Sequence, residues 1–293
     1  MLGRIRHTST SPSPILTQRR QIARIVARES AETLVGRPAG LRVEVVRRLV
    51  GLAAHHVAGR FVAYDRALGE DGLRHGAAWI IDDATGGLAV EGRGYVPTRG
   101  PLLVVANHPG LSDAVALLAA LDRDDAWIVA ASYPFLRALR LASRRFLFVS
   151  DDRADRLSTF RGILARLRAG ETVVVFPAGR LELDPALSSA AALASLTTWS
   201  RSVGRLAQLA EGTLVVPAAV RGVVSRSAFD HPLARRLGVL KDRQRMATLL
   251  QLALPSYQAN RVSISFGLPI DASGARDVHA AVIDSMQALI GVA

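Results

Sequence analysis

The sequence contains no cysteine, which removes disulfides, thiolate metal sites and cysteine nucleophiles together. Lysine is almost as scarce. Lys241 is the only one, so the net charge of +12 is carried by arginine. Aromatic residues make up 5% of the chain, and the first 60 residues hold none. Those 60 residues carry eleven Arg against three Glu, a net of +8. Basic segments that grip single-stranded nucleic acid interleave aromatics for base stacking, so this charge suits an anionic membrane surface better, and no nucleic acid is expected as a partner. Long hydrophobic runs are missing too. No stretch reaches the ~18 strongly apolar residues of a membrane span, and the uncharged Pro185–Ser200 is too rich in Ala, Ser and Thr. There is no G-x-S-x-G elbow of a serine hydrolase, and Gly92-Arg93-Gly94 lacks the third glycine of a dinucleotide fingerprint.

What is present is a globular composition, 49% apolar and 21% charged. Its most informative stretch is residues 100–121, GPLLVVANHPGLSDAVALLAAL. Leu102–Ala106 reads as a strand buried on both faces. Asn107, His108, Pro109 and Gly110 break it, and Ser112 or Asp113 can cap a helix running from Ala114 to Leu121. His108 therefore sits at the carboxyl end of a buried strand and Asp113 in the first turn of the next helix. Across a Pro-Gly turn these two side chains can meet, and a carboxylate on one imidazole nitrogen leaves the other free as a base. His279 and Asp284 share the spacing but fall within a helix, Ala275–Ile290, where residues five apart point about 140° away from each other. That pair is a decoy.

The N-H-P-G-L-S-D segment resembles the N-H-x-x-x-x-D block of the glycerolipid acyltransferases, the family that contains lysophosphatidate acyltransferase. Three further blocks follow in the family's order. RFLFVSDDR (Arg145–Arg153) is similar to the second, VVVFPAGR (Val173–Arg180) to the third, usually F-P-E-G-T-R, and VVPA (Val215–Ala218) to the fourth. The resemblance covers roughly residues 90–225. It implies that His108 takes the proton from an acceptor hydroxyl attacking an acyl thioester, with Asp113 orienting the ring. Asn107, Arg153, Gly179 and Arg180 are the expected substrate contacts. Arg153 and Arg180 can bind phosphate, and Gly179 allows close backbone approach. In the third block Ala178 replaces the family's Glu and Leu181 its Arg, which bears on the acceptor, and Glu182 is a candidate for the missing carboxylate. No metal and no cofactor are expected. Acyl-CoA or acyl carrier protein would be the co-substrate.

Taken in order, residues 1–14 read as a disordered tail and 15–86 as a helical, membrane-interfacial region. Ile15–Val35 and Leu41–Tyr64 are two helices separated by Gly36–Gly40. The second sets Val45, Val46, Leu49, Leu52, Ala53, Val57 and Phe61 at helical spacing, apart from Arg42, Arg47 and Arg48. Residues 65–87 read as a connection around Ala77–Ile81. Residues 87–293 read as an α/β domain with a parallel or mixed sheet flanked by helices. Its elements are expected to be strands at Gly87–Val96, Ala126–Ala130, Arg144–Ser150, Thr172–Phe176 and Thr213–Arg221, helices at Tyr133–Ala142, Arg156–Ala169 and Ala190–Ala210, and a late edge strand at Val262–Phe266.

The leading function is acyl transfer to a lysophospholipid, most simply 1-acylglycerol 3-phosphate, by an enzyme peripheral on the cytoplasmic membrane face. One alternative is the same chemistry on another lyso-lipid, an aminolipid or a glycolipid. Another is a non-catalytic basic lipid-binding protein on this fold.

Overall fold

All five residues of Leu102–Ala106 are buried, and they alternate between two cores. Leu102, Val104 and Ala106 face one, Leu103 and Val105 the other. A strand apolar on both faces needs a layer on each side, and the chain supplies both. The computed structural model describes residues 14–35, 41–110, 112–150 and 152–291.

Three helices come first, α1 (Pro14–Val35), α2 (Leu41–Asp71) and α3 (Leu73–Ala84), then β1 (Leu88–Glu91) and β2 (Leu102–Ala106). Helix α4 (Asp113–Ala120) leads to β3 (Ala126–Ala131), α5 (Pro134–Arg137), β4 (Phe146–Val149), α6 (Arg153–Arg168) and β5 (Thr172–Val175). Helices α7 (Ser189–Ser195) and α8 (Ser202–Gln208) precede β6 (Leu214–Arg221), which is followed by α9 (Arg226–Phe229), α10 (Pro232–Arg235) and α11 (Leu240–Ala253). Strands β7 (Val262–Phe266) and β8 (Ile270–Asp271) and helix α12 (Val278–Gly291) come last.

The sheet order is β1-β7-β6-β2-β5-β3-β4, with β8 paired to β6. Strands β2 to β6 are parallel to their neighbours among themselves, whereas β7 runs antiparallel to β6 and parallel to β1. This is the mixed α/β sheet flanked by helices that the alternation of patterns implied. It brings the carboxyl ends of β2, β5 and β6, three neighbours, to one edge, where open α/β sheets place their ligand crevices.

Several local expectations are corrected. Val262–Phe266 is not an edge strand. It lies between β1 and β6, and β1 takes the edge. Residues 65–87 are not a connection, because α2 continues to Asp71 and α3 follows after a single residue. Leu73, Ala77, Ile80 and Ile81 are buried at helical spacing, and Gly76 packs so closely that a Cβ would lie 2.7 Å from the Leu68 nitrogen. The expected helix Tyr133–Ala142 shrinks to one turn. The buried carboxylate of Asp65 accepts the N–H groups of Arg140, Leu141 and Ala142, so they cannot continue a helical ladder. The expected helix Ala190–Ala210 breaks at Trp199, whose backbone is extended. Gly87–Val96 is strand only to Glu91, after which left-handed Gly92 opens a 3-10 turn.

The helical extension packs against the rest of the chain. Ile22 and Ala23 of α1 and Ala58 and Val62 of α2 share a core with Ile80, Leu139 and Ala142. Within it Gln18 donates to Asp65 and to the Ala138 carbonyl. Of the apolar face read on the second helix, Val57 is buried and Phe61 partly so. The side chains of Val45, Val46, Leu49, Leu52, Ala53, Arg42, Arg47 and Arg48 lie outside the described residues, as do the tail 1–13 and the break at 36–40. No described helix is long and apolar enough to cross a membrane.

Candidate active site

Strand β2 ends at Ala106, and the next seven residues build the site. Asn107 is buried, and its side-chain amide pairs both ways with the backbone of Val220 on β6, donating to the carbonyl at 2.8 Å and accepting the N–H at 2.7 Å. Both polar ends are used in extending the β2–β6 ladder by one step, a role beside the substrate contact expected from the sequence. Asn107 positions the loop. Pro109 and Gly110 then turn the chain so that His108 and Asp113 face each other, with Nδ1···Oδ2 at 2.7 Å.

Asp113 is fully buried, and both of its oxygens are engaged. Oδ2 also accepts the Gly110 N–H at 2.9 Å, and Oδ1 accepts the Ala114 N–H at 2.6 Å. A carboxylate accepts only, so the neutral imidazole carries its proton on Nδ1. Nε2 has no protein partner among the described residues, and the His108 side chain is 28% exposed. Its ring stacks on Phe176 from the end of β5, with centroids 4.5 Å apart. Gly110 is required by space. A Cβ there would meet the Val223 side chain at 2.7 Å. Gly110→Ala should displace the loop, cost about 1–3 kcal/mol and depress turnover more than stability, as thermal melts and rate assays on the same preparation would show.

Glu182, considered from the sequence only as a substitute carboxylate, grips His108 from behind. Its Oε2 accepts the His108 N–H at 2.9 Å, and its own N–H donates to the His108 carbonyl at 2.8 Å. Its Oε1 accepts from Trp199 Nε1 at 2.8 Å and from Ser195 Oγ at 2.5 Å. The side chain is buried. Gln244 of α11 ties the same loops together, donating to the carbonyls of Pro109 (3.0 Å) and Glu182 (2.8 Å) and accepting the Asp184 N–H (2.9 Å). Asp184, also fully buried, accepts the N–H groups of Ala186, Gly222 and Val224. Burial pushes its carboxyl above the usual range despite these donors. Phe176, Gln244, Asp184 and Trp199 went unread in the sequence. Only the L-E-L-D spacing of 182 and 184 among apolar residues hinted that two carboxylates point inward.

These charges set the state of His108. Burial, the largest influence, works against the imidazolium, but the charge and hydrogen bond of Asp113, with Glu182 behind, outweigh it and hold the pKa above the ordinary value of 6.5. Glu182 thus acts on the ring through space as well as on the backbone.

The remaining expected residues lie on the same edge. Gly179 closes the turn after β5, its N–H bonded to the Phe176 carbonyl, with φ at +63°. Its need for glycine is that left-handed backbone, since nothing lies within 4 Å of a Cβ there. Arg180 is exposed and donates to Thr198 Oγ1 at 3.2 Å. Arg153 opens α6 after β4, exposed and without a partner among the described residues. It lies three strand positions from β2, about 14 Å away. Its neighbour Asp151 is outside the described residues. On the other side of the histidine loop a cavity of ≈ 100 Å³ opens between α2, α3 and α11. Phe61, Ile81, Val115 and Leu252 line it, with Gly110 and Ser112 at the loop.

Residues 87–221 match the model of the Acyltransferase family. Just under half of the chain is thus similar to that family's domain. The match begins just before β1 and ends with β6, so it takes in the histidine loop, the turn after β5 and the Asn107 clamp on β6. No curated protein matches the chain. Among solved structures the chain is similar to the 1-acyl-sn-glycerophosphate (LPA) acyltransferase PlsC from Thermotoga maritima, at 16% identity, with 95% of each chain covered and a TM-score of 0.48.

Proposed function

We propose that this acyltransferase moves a fatty acyl group from acyl-CoA or acyl carrier protein to the free hydroxyl of a lysophospholipid, most simply 1-acylglycerol 3-phosphate. The observation that carries the proposal is the pair itself. A buried carboxylate with both oxygens engaged holds Nδ1 of His108, while Nε2 has no partner among the described residues. Nε2 takes the hydroxyl proton as the oxygen attacks the thioester carbonyl. Asp113 steadies the imidazolium that forms. When the tetrahedral intermediate collapses, the C–S bond breaks and the proton passes to the departing thiolate. No acyl-enzyme is needed.

The apolar cavity beside Gly110 and Ser112 is a site for the first carbons of an acyl chain near the thioester. Arg180, one strand from His108, and Arg153 beyond it are the phosphate contacts in this reading. Each has a free guanidinium edge, so Arg180→Ala or Arg153→Ala should raise KM for a phosphate-bearing acceptor by about tenfold with a smaller change in kcat. An equal fall in kcat with KM unchanged would remove them from binding. In this reading the basic amino-terminal helices rest on the cytoplasmic membrane face. Because α1 and α2 share a core with the domain, this is best tested by replacing Arg42, Arg47 and Arg48 with Gln rather than by truncation.

A second reading keeps the chemistry and changes the acceptor to another lyso-lipid, an aminolipid or a glycolipid. It is favoured by Ala178 in place of the family's carboxylate and by Leu181, 44% exposed where the family has Arg. The deciding experiment supplies long-chain acyl-CoA with a panel of lyso-lipids and reads products by mass spectrometry. Phosphatidate formed only by enzyme with His108 supports the first reading. Another product supports the second, and no product with either acyl-CoA or acyl carrier protein sinks both.

A further inference from the structure

The segment that follows β6 is outside the matched family region, and its surface combines cations with exposed aliphatic side chains. Within residues 231–245 there are five basic residues, Arg235, Arg236, Lys241, Arg243 and Arg245, against one acidic residue, Asp242. Arg243 is committed, stacked 3.9 Å over Phe229 and bonded to Asp230, and Arg245 pairs with Asp242. Arg235, Arg236 and Lys241 are exposed and have no ion pair among the described residues. Near them in the chain are three exposed aliphatic side chains: Leu233 at 47%, Val239 at 59% and Leu240 at 41% exposure. Core demand does not explain them, since the buried positions are Ala234 on α10 and Gln244 and Ala247 on α11.

The position of the patch gives it a use. Gln244, one turn of α11 beyond Leu240, donates to the Pro109 carbonyl, the residue next to His108. Leu240 is therefore about 6 Å along the helix from a direct contact with the histidine loop. Thr248, Gln251 and Leu252, further along α11, line the apolar cavity beside that loop.

The geometry points to the α10–α11 turn as a lipid-docking surface that sets Leu233, Val239 and Leu240 into an anionic membrane, with Arg235, Arg236 and Lys241 on its head groups. Aliphatic side chains at a turn, with unpaired cations near them in the chain, match the interface of an anionic bilayer in both polarity and charge. A bilayer also needs no complementary shape, whereas a specific protein partner buries about 800 Å² on each side. The surface is distinct from the amino-terminal helices, and it would hold the mouth of the site against the phase in which an amphiphilic acceptor resides. That purpose rests on the proposed lysophospholipid acceptor, but the test does not, because it reads binding and not turnover.

The test is co-sedimentation of the full chain with vesicles of equal parts phosphatidylcholine and phosphatidylglycerol, compared with pure phosphatidylcholine. Wild type should bind the anionic vesicles more tightly. Arg235→Gln with Arg236→Gln should weaken that binding on the order of 25-fold, at about fivefold per cation. Val239→Glu alone, and Leu233→Gln with Leu240→Gln, should weaken it about tenfold or more. All these positions are exposed, so melting temperatures should stay within a few degrees of wild type, and that measurement accompanies each variant. Equal vesicle binding by the variants and the wild type would overturn the proposal. So would a loss confined to binding of purified acyl carrier protein, which would make the patch a site for an acidic protein. A shift in oligomeric state with vesicle binding intact would assign it to a second copy of the chain and also overturn the proposal.

Discussion

His108→Ala leaves a folded protein whose acyl transfer falls by about 10²–10⁴-fold, the range for losing a positioned base. The loss should appear in kcat and kcat/KM alike, because Nε2 acts on a proton that moves only in the reaction. Fold should survive, since the loop is held by Asn107, Asp113, Glu182 and Gln244 through bonds that do not use the imidazole Nε2. The same residue sets the pH profile. The base works only when neutral, so kcat/KM should rise with pH along a limb centred above 6.5, the side to which Asp113 and Glu182 push the ring. Stability runs the other way. A folded pKa raised above the unfolded one means that the imidazolium–Asp113 interaction stabilises fully below the unfolded value and is lost as pH rises through the folded one. The pair is thus at its most stabilising where the enzyme is inactive. An acid limb at or below 6.5, or His108→Ala at wild-type rate, would remove His108 as the base.

Glu182 should give the second largest effect. Glu182→Ala leaves the His108 N–H and the Trp199 indole N–H without their acceptor inside the protein, while the Ser195 hydroxyl still has the Ala192 carbonyl. At about 1 kcal/mol or more for each of the two orphaned donors, the loss is about 2 kcal/mol or more, with the melting temperature falling by about 4–8 °C. Glu182→Gln separates structure from electrostatics. One oxygen still accepts, so most of the fold is kept, but the negative charge behind His108 is gone and the acid limb of kcat/KM should move to lower pH. A purely structural Glu182 would change the melting temperature and leave that limb in place. The two readouts on one variant decide between these roles.

Much of the site was legible because its signals are local. His108 and Asp113 are five residues apart across a turn that Pro109 and Gly110 enforce, so their meeting needs no knowledge of the remaining fold. The buried central strand and the alternation of strands with helices were legible for the same reason. Period and turn chemistry act over a few residues. Where local pattern failed, a distant group had intervened. Asp65 ended the expected helix after Tyr133 by taking its N–H groups, and the Trp199 side chain bonds Glu182 where the expected long helix breaks. Val262–Phe266 looked like an edge because nothing in those five residues records that β1, more than 170 residues earlier, pairs outside them.

The order and chemistry of the motifs were therefore determined by the sequence: a mixed α/β sheet, a histidine at a strand end and a carboxylate within reach of it. Only the tertiary structure decided what the remaining polar residues do. It made Asn107 a clamp on β6 and bonded Glu182 to the His108 backbone. It also placed α11, which no motif marks, between the histidine loop and an exposed basic–apolar turn. The physical reason is that a buried polar group must find partners wherever the packed chain offers them. For Asn107, Glu182 and Gln244 those partners lie 13 to 135 residues away, beyond what local pattern can report.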